Sequence, residues 1–361
     1  WYAVGFTTKD VKKAPGKFQG FHAPNVLVLF SEAQAIERSI WEQAESLMAS
    51  GNAKWLAIGN PLLNYGSFFE TWMPKSGWKD IRLDGEENPN YLEGREVVPG
   101  LASRKWIEGM AEKHGRDSIT YRSKVKGYFP PRTDGAFIDA AWLEWSNHQG
   151  FIAVPAAGPL VMGADVARDG DNKTVFTKRR GWQVVEVKKH EKKRTTETAG
   201  LITQEILGGV ERVYIDVGGL GVGIYDMVVA AGHGAKVVPV NFGSKADEKI
   251  IWGNLPNHKK FADLGTQLYY NVAHLLEHRR IAVPFDPDLN LQLVSRRMLT
   301  LPNGKLKIEP KEDLVERGYE SPDEADSLAL CYADMELPSG LEAPFVEMDE
   351  EDPNLQSIWR P

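Results

Sequence analysis

The 361-residue chain holds one cysteine, Cys331, no long apolar run and no surplus of basic residues. A lone cysteine excludes an internal disulfide framework and fits a reducing compartment. No apolar stretch approaches the roughly 18 residues that a spanning helix needs, so no membrane is expected. The first residues, Trp1-Tyr2-Ala3-Val4-Gly5-Phe6, carry no basic leader, and a secretory signal is not expected. Lys and Arg number 43 against 50 Asp and Glu, and the net charge of -7 argues against a protein that coats DNA generally. The phosphate-binding pattern Gly-x-x-x-x-Gly-Lys-Ser/Thr is missing. Pro15-Gly16-Lys17-Phe18 lacks both the first glycine and the hydroxyl residue. Without that loop nucleotide phosphates have no nest of N–H donors, so ATP hydrolysis is not expected of this chain alone. No Gly-x-Ser-x-Gly elbow occurs.

What the chain does have is an apolar run of strand length, Gly158-Pro159-Leu160-Val161-Met162-Gly163-Ala164-Asp165, that ends in a carboxylate before a polar turn. A carboxylate inside a buried strand is costly unless something cationic compensates it, which makes Asp165 a site candidate. Arg212-Val213-Tyr214-Ile215-Asp216 repeats the pattern, followed by Gly218-Gly219-Leu220-Gly221, small residues that let a ligand approach the backbone. A third acidic cluster, Asp323-Glu324-Ala325-Asp326, opens an apolar segment through Ala333 that reads as a helix. Asp323 and Asp326, three apart, can project from one face of its first turns.

Periodicity places the remaining elements. Asn25 to Phe30 reads as a continuous apolar strand of the kind found at the centre of a parallel sheet. A helix is expected over about 37–50, closed by Gly51, and a strand over 54–58 leading into Gly59-Asn60-Pro61. Little periodicity shows from about Ser76 to Arg122. Prolines and glycines between Lys124 and Gly135 mark a boundary. Beyond it, strands are expected at about 159–167, 173–178 and 182–188 and a helix at 196–207 with Thr195 and Thr196 as cap candidates. Strand 211–217, helix 221–231, strand 235–241 and helices 258–278 and 287–298 follow. Met298 to Glu309 around Asn303-Gly304 signals a hairpin. The fold class is α/β.

The N-terminal block, a strand ending at Ser31-Glu32, a helix, a strand and Gly59-Asn60-Pro61, resembles the second half of the ATPase domain of large terminase subunits, the motors that package viral DNA. In that family the strand ends in an Asp-Glu pair; here Ser31 stands in the first position and Glu32 in the second. The resemblance implies a partial P-loop-type ATPase over 1–123, with Glu32 and Asn60 as its remnant, and ATP as a cofactor only of the full-length motor. The abrupt start without Met suggests the remainder of something longer.

From about 125 to 336 the chain resembles the nuclease domain of the same family, which has a ribonuclease-H-like fold. Gly163-Ala164-Asp165 looks like its first-strand motif, Tyr214-Ile215-Asp216 its second, and Lys311 to Arg317 with Gly318 to Asp326 its third. The implied organisation is a linker over 124–150, a nuclease domain over 151–340 and an acidic tail over 341–361. In this fold the first and fourth strands of the sheet lie side by side, which would bring Asp165 next to Asp216. Two Mg2+ or Mn2+ ions are then implied, held by Asp165, Asp216 and one or both of Asp323 and Asp326, with Asp323 favoured. Hard oxygen ligands from separate elements are what such ions require. Double-stranded DNA, a small terminase subunit, a portal protein and a homo-oligomeric ring on the procapsid are the implied partners, in the host cell cytoplasm. A further implication is that the hairpin gates the nuclease site; a plain surface hairpin is the other reading.

Basic residues cluster after residue 170, in Lys178-Arg179-Arg180, Lys188 to Arg194, His258-Lys259-Lys260, Arg279-Arg280 and Arg296-Arg297. Each can be a solvated face, and together they suggest a polyanion-binding one. Lys311, Arg317, Lys259 and Lys260 are the DNA-binding candidates, with Lys311 equally suited to a surface ion pair. Asp169 and Asp171 are expected to shape the turn after Asp165, and the glycines after Asp216 to keep side chains away from metal and phosphate. Gly219 to Gly223 has the wrong spacing for a dinucleotide loop. His274-Leu275-Leu276-Glu277-His278 matches a zinc-protease pattern, for which histidines on a solvated helix face are the plainer reading. Other ribonuclease-H-like nucleases, such as resolvases and integrases, and a non-catalytic packaging scaffold are the rival functions.

Overall fold

The computed structural model describes residues 3–7, 23–49, 52–131, 135–167, 173–190, 193–249 and 255–334. Asp169, Asp171, Pro15 to Phe18 and the acidic tail lie outside the described residues. No helix among those described is long and apolar enough to cross a membrane.

In the N-terminal part, β1 (Val26–Ser31) and β2 (Ala53–Ile58) pair in parallel. They are joined through α1 (Arg38–Glu45), whose Ile40, Trp41 and Ala44 face inward at helical spacing. The helix expected to reach residue 50 tightens into a 3-10 turn over Ser46–Ala49. Phe30, Trp41 and Trp55 close the contact, with ring centroids 4.8 to 5.3 Å apart. The opposite face of this pair exposes Leu27, Leu29, Leu56 and Ile58.

The stretch that showed little periodicity contains three capped helices, a short one over Pro89–Glu93, where Asn88 accepts from the Tyr91 N–H at 3.0 Å, and two more. In α2 (Arg104–His114) Ser103 accepts from the N–H of Trp106, and in α3 (Ile119–Lys124) Ser118 accepts from that of Tyr121. Capping starts helices whose apolar stripe is narrow, here little more than Ile107 and Tyr121. Within the segment expected to be a linker, α4 (Ala140–Asn147) turns Leu143 into the central core. Its Ser146 and Asn147 donate to the carbonyls of Ile281 and Val283 at 2.8 and 3.0 Å.

The central sheet is built from β3 (Ala156–Asp165), β4 (Thr174–Gly181), β5 (Gln183–His190), β6 (Arg212–Asp216) and β7 (Val237–Val240) in the order β5-β4-β3-β6-β7. The first three strands form an antiparallel meander, and β6 and β7 add in parallel beside β3. Between β5 and β6 runs α5 (Thr195–Leu207). Its first turn is capped not by a threonine hydroxyl but by Glu197, which accepts from the Arg194 N–H at 2.8 Å. Next come α6 (Gly221–Val228), α7 (Leu264–Glu277) and α8 (Pro287–Ser295). The long helix expected over 258–278 is interrupted, because Asp263 caps a new start by accepting from the Thr266 N–H at 2.8 Å. The hairpin β8 (Met298–Thr300) and β9 (Leu306–Ile308) leads into α9 (Lys311–Glu316) and then α10 (Asp323–Cys331).

Two apolar layers sandwich the sheet. Val161 and Tyr214 pack with α7, α8 and α10 on one face. Met162, Ala164, Val213 and Ile215 pack with α5 and α6 on the other. Period-two alternation therefore puts Val161, Gly163 and Asp165 on the α10 face. Gly163 is where that helix comes closest: a Cβ there would stand 2.2 Å from the Ser327 carbonyl oxygen and 2.4 Å from the Cys331 nitrogen. Cys331 itself is fully buried, as expected of a core residue.

Candidate metal centre

The register of β3 against β6 pairs Gly163 with Tyr214 and Ala164 with Ile215. One step further along both strands come Asp165 and Asp216, on adjacent strands about 4.8 Å apart and on the same face. Because α10 lies directly on Gly163, its first turn reaches the ends of these strands, and Asp323 and Asp326 are delivered there. Asp165 feels the charges of Asp326, Asp323 and Asp216 together with that of Lys311. Four carboxylates from three elements thus lie within one another's field around Lys311, although no three of them bring one oxygen each within 4.8 Å of one another.

The electrostatics follow from that crowding. Burial pushes the Asp165 carboxyl well above the usual range, opposed by the Lys311 ammonium and reinforced by the other three aspartates. Asp216 is raised by burial, against the N–H of Gly218, which donates to its Oδ1 at 2.9 Å. Burial also raises Asp323, held back by the Ser321 hydroxyl at 2.5 Å and the Lys173 N–H at 2.8 Å. Asp326, 1% exposed, has the most partners. The Tyr269 hydroxyl donates to Oδ1 at 2.5 Å, Lys311 Nζ lies 2.5 Å from Oδ2, and Arg296 stands 3.8 Å from Oδ1. Although burial opposes it, the fields of Asp326 and Asp165 keep the Lys311 ammonium firmly protonated.

Lys311 reaches the pocket because the hairpin ends three residues before it. Asn303-Gly304 makes the turn, with Gly304 at φ 78°, and the Ile308 N–H is tied to Thr266 Oγ1 at 3.0 Å. Behind Asp323 a second layer of charge braces α10. Glu324, buried beside it, lies 3.6 Å from Lys173 Nζ and 3.3 Å from Lys189 Nζ, and Lys189 also meets Asp286 and Asp288. Sequence reading missed this network, since nothing local distinguishes Lys189 from its basic neighbours. Gly221, expected to clear space for a ligand, has a nearer reason. A Cβ there would stand 1.7 Å from the Asp216 carbonyl oxygen, so the start of α6 must be glycine to pass β6.

Some members of the basic clusters are committed inside the protein, while Arg180, Lys188, Arg194, Lys259, Arg279 and Arg280 are exposed. Arg179 donates to the Cys331 carbonyl at 2.6 Å and pairs with Asp334, while Arg296 donates to the Glu309 carbonyl at 2.6 Å. Arg317 is held by both oxygens of Glu309, at 2.8 and 2.6 Å. Lys260 packs over the Tyr270 ring with Nζ 3.1 Å from its hydroxyl, and burial lowers the amine to about 8. Lys259 is exposed. Glu32 sits past β1 in the left-handed region at φ 53°. Gln34 joins it to Asn60, donating to Glu32 Oε2 at 2.7 Å and accepting from the Asn60 N–H at 3.1 Å.

No protein-family model and no curated protein matches the chain. Among solved structures it is similar to the nuclease domain of the large terminase subunit gp2 of bacterial virus Sf6, at 19% identity and a TM-score of 0.50, over 56% of this chain and 100% of that one. A variant of that domain with manganese and beta-thujaplicinol matches with the same values. The large terminase nuclease from thermophilic phage G20c with bound magnesium is 19% identical over 51% of this chain and 85% of its own, at a TM-score of 0.38. At such identity the Sf6 likeness is one of fold: a five-stranded mixed sheet flanked by helices, of ribonuclease-H-like type.

Proposed function

We propose that the chain is a divalent-metal-dependent DNA endonuclease of a viral packaging terminase, cleaving concatemeric double-stranded DNA. The observation that carries this reading is the gathering of Asp165, Asp216, Asp323 and Asp326 around the Lys311 ammonium. The donor set fits two Mg2+ or Mn2+ ions. It consists of hard oxygens, it is more negative than its own cations neutralise, and a stand-in cation already occupies it. Asp165 and Asp216, at the strand ends, and Asp323 would hold the ions, with Asp326 backing them while it anchors Lys311. Bound there, such ions supply an activated water and neutralise the leaving oxygen of a phosphodiester.

The chain's own groups have separate tasks. The Lys173 N–H and the Ser321 hydroxyl orient Asp323, and the Gly218 N–H orients Asp216. Lys311 neutralises the pocket and, on a side chain 42% exposed, can turn to a phosphate. Arg317, fixed on Glu309, serves to brace α9 rather than to bind DNA. Lys259 and Lys260 are the remaining DNA contacts in this reading, and binding should weaken steeply with salt. By the same reading residues 1–123 are a partial ATPase with Glu32 and Asn60 at its strand ends, 124–150 a linker whose α4 is folded onto the nuclease, 151–340 the nuclease and 341–361 a tail. ATP, a small terminase subunit, a portal and a ring on the procapsid in the host cytoplasm belong to the full motor.

The test is nicking of supercoiled plasmid with Mn2+ by the intact chain and by Asp165→Ala. Nicking that needs Mn2+ and vanishes in the variant supports the proposal. No nicking by the intact chain would favour a non-catalytic packaging role, and cutting confined to branched DNA a resolvase.

A further inference from the structure

Of the two histidines in His274-Leu275-Leu276-Glu277-His278, only His278 keeps part of the solvated face that their spacing suggested. His274 is 8% exposed, and its ring lies against that of His278 with centroids 3.9 Å apart. One ligand atom from each of His274, Glu277 and His278 lies within 4.8 Å of the other two. His274 Nδ1 lies 3.7 Å from Glu277 Oε2; His278 Nδ1, 3.9 Å from the same oxygen, faces the His274 carbonyl, which leaves the His278 Nε2 for an ion. In a tetrahedral zinc site with bonds of about 2.0–2.1 Å the ligand atoms stand roughly 3.3–3.4 Å apart. The gap is therefore a fraction of an ångström between His274 and Glu277, and Glu277, 48% exposed on its side chain, can close it by rotation.

We propose that the last turn of α7 is a second metal site, one that takes a borderline transition cation, with zinc as the reference ion, on His274, Glu277 and His278 plus one water. Three observations bear on it independently of the aspartate pocket. Imidazole nitrogens prefer zinc, cobalt, nickel or copper to magnesium, so the chemistry differs from that of the hard-oxygen cluster. The helix places the three residues on one face by its i, i+3 and i+4 neighbours, which fixes them before any ion binds. Nδ1 of His278 lies 3.0 Å from the His274 carbonyl oxygen, a contact of the kind that orients a metal-bound imidazole when the other ring nitrogen takes the ion. The backbone leaves the helix just beyond, through Arg279 at φ 55°. An ion here would pin that turn and brace α7, whose Tyr269 reaches Asp326 at the other end.

The experiment uses the full chain, stripped with chelator and then held in excess Mg2+, so that the hard-oxygen pocket is not the site competed for. Zinc is titrated alone, followed by the thermal midpoint, and cobalt by the visible absorption of tetrahedral coordination. The expected result is one zinc equivalent that raises the midpoint and is retained by Asp165→Asn. In His278→Ala, a half-buried position that leaves the core intact, zinc affinity should drop at least tenfold and the cobalt bands should vanish; Glu277→Gln should weaken both. Equal zinc affinity in the intact chain and His278→Ala, or no zinc equivalent at all, overturns the proposal. Neither outcome touches the nicking assay, which depends on Asp165.

Discussion

Gly163→Ala isolates the contact that sets the candidate centre. The new methyl group would stand 2.2 Å from the Ser327 carbonyl oxygen and 2.4 Å from the Cys331 nitrogen, both backbone atoms of α10. An ordinary contact between such atoms is about 3.5 Å, so the helix must retreat by roughly an ångström. Overpacking of this kind costs about 1–3 kcal/mol. For a cooperative unit of 150–250 residues each kcal/mol lowers the thermal midpoint by about 2–4 °C, which gives a fall of about 2–12 °C. The same retreat carries Asp323 and Asp326 away from Asp165 and Asp216, and an ångström of misplacement can cost about 10²-fold in rate. Gly200→Ala is the matched control. It sits on the exposed side of α5 with nothing within 4 Å of the added Cβ, so it should stabilise by about 0.5–1 kcal/mol and leave nicking unchanged. Differential scanning fluorimetry and Mn2+-dependent plasmid nicking on both variants decide the matter. If Gly163→Ala melts and cuts like the parent, α10 does not position the carboxylates as argued.

Three further outcomes follow from the charges. Asp165, Asp216 and Asp323 all have folded-state values raised above the ordinary 3.8, so the stability they contribute is full below that value and is lost as pH rises through their raised values. A chelated sample should therefore melt lower as pH climbs out of the acid range, Mn2+ should remove that loss, and Asp165→Asn should flatten it; a pH-independent midpoint in EDTA would contradict the crowding. Glu320 has the opposite sign. Burial raises it, but hydrogen bonds with His114 and Thr120, each 2.8 Å, and the nearby Lys173 win and lower it to about 2. Its contribution is present above about 4.5 and lost as pH falls towards 2, so Glu320→Gln should make the acid limb of a pH–melting curve shallower. Lys260, lowered to about 8 by burial, should be acylated by an amine-selective reagent about two pH units earlier than an ordinary lysine near 10.4, which peptide mapping would read.

The aspartates were legible because each ends a strand or opens a helix, and strand order then places Asp165 beside Asp216. Periodicity also found every strand of the central sheet to within a few residues. What sequence could not supply was pairing at a distance. Arg179 and Arg296 read as parts of basic clusters and Arg317 as a DNA-binding candidate, yet each is matched to a carbonyl or carboxylate that lies 8 to 155 residues away. Gly163 looked like any strand glycine, and only the approach of a helix some 160 residues later gives it a reason. Local signals were also misread where two competed. Asp263 restarts a helix that hydrophobic spacing would have run through, and Ser103 and Ser118 nucleate helices with too little apolar periodicity to notice. His274 is the sharpest case, because burial depends on what packs over a face and not on the face itself.

The four carboxylates are not equivalent, and their partners rank them. Asp326 is surrounded by Lys311, Arg296 and the Tyr269 hydroxyl, so its charge is already matched. Asp323 and Asp216 each rest on neutral donors, which steady a carboxylate without cancelling its charge. Asp165 is 7% exposed, and its side chain accepts no hydrogen bond among the described residues. It is left with the field of Lys311 against three like charges. A buried carboxylate in that position either takes a proton or takes a cation, and at neutral pH the second route also relieves Asp216 and Asp323. The ranking puts Asp165 first as a ligand and Asp326 last. It follows that Asp326→Asn should weaken Mn2+ binding less than Asp165→Asn does, by isothermal titration, while lowering the midpoint of the chelated protein through the unmatched Lys311 and Arg296; the reverse order would mean that Lys311 yields its place to the metal.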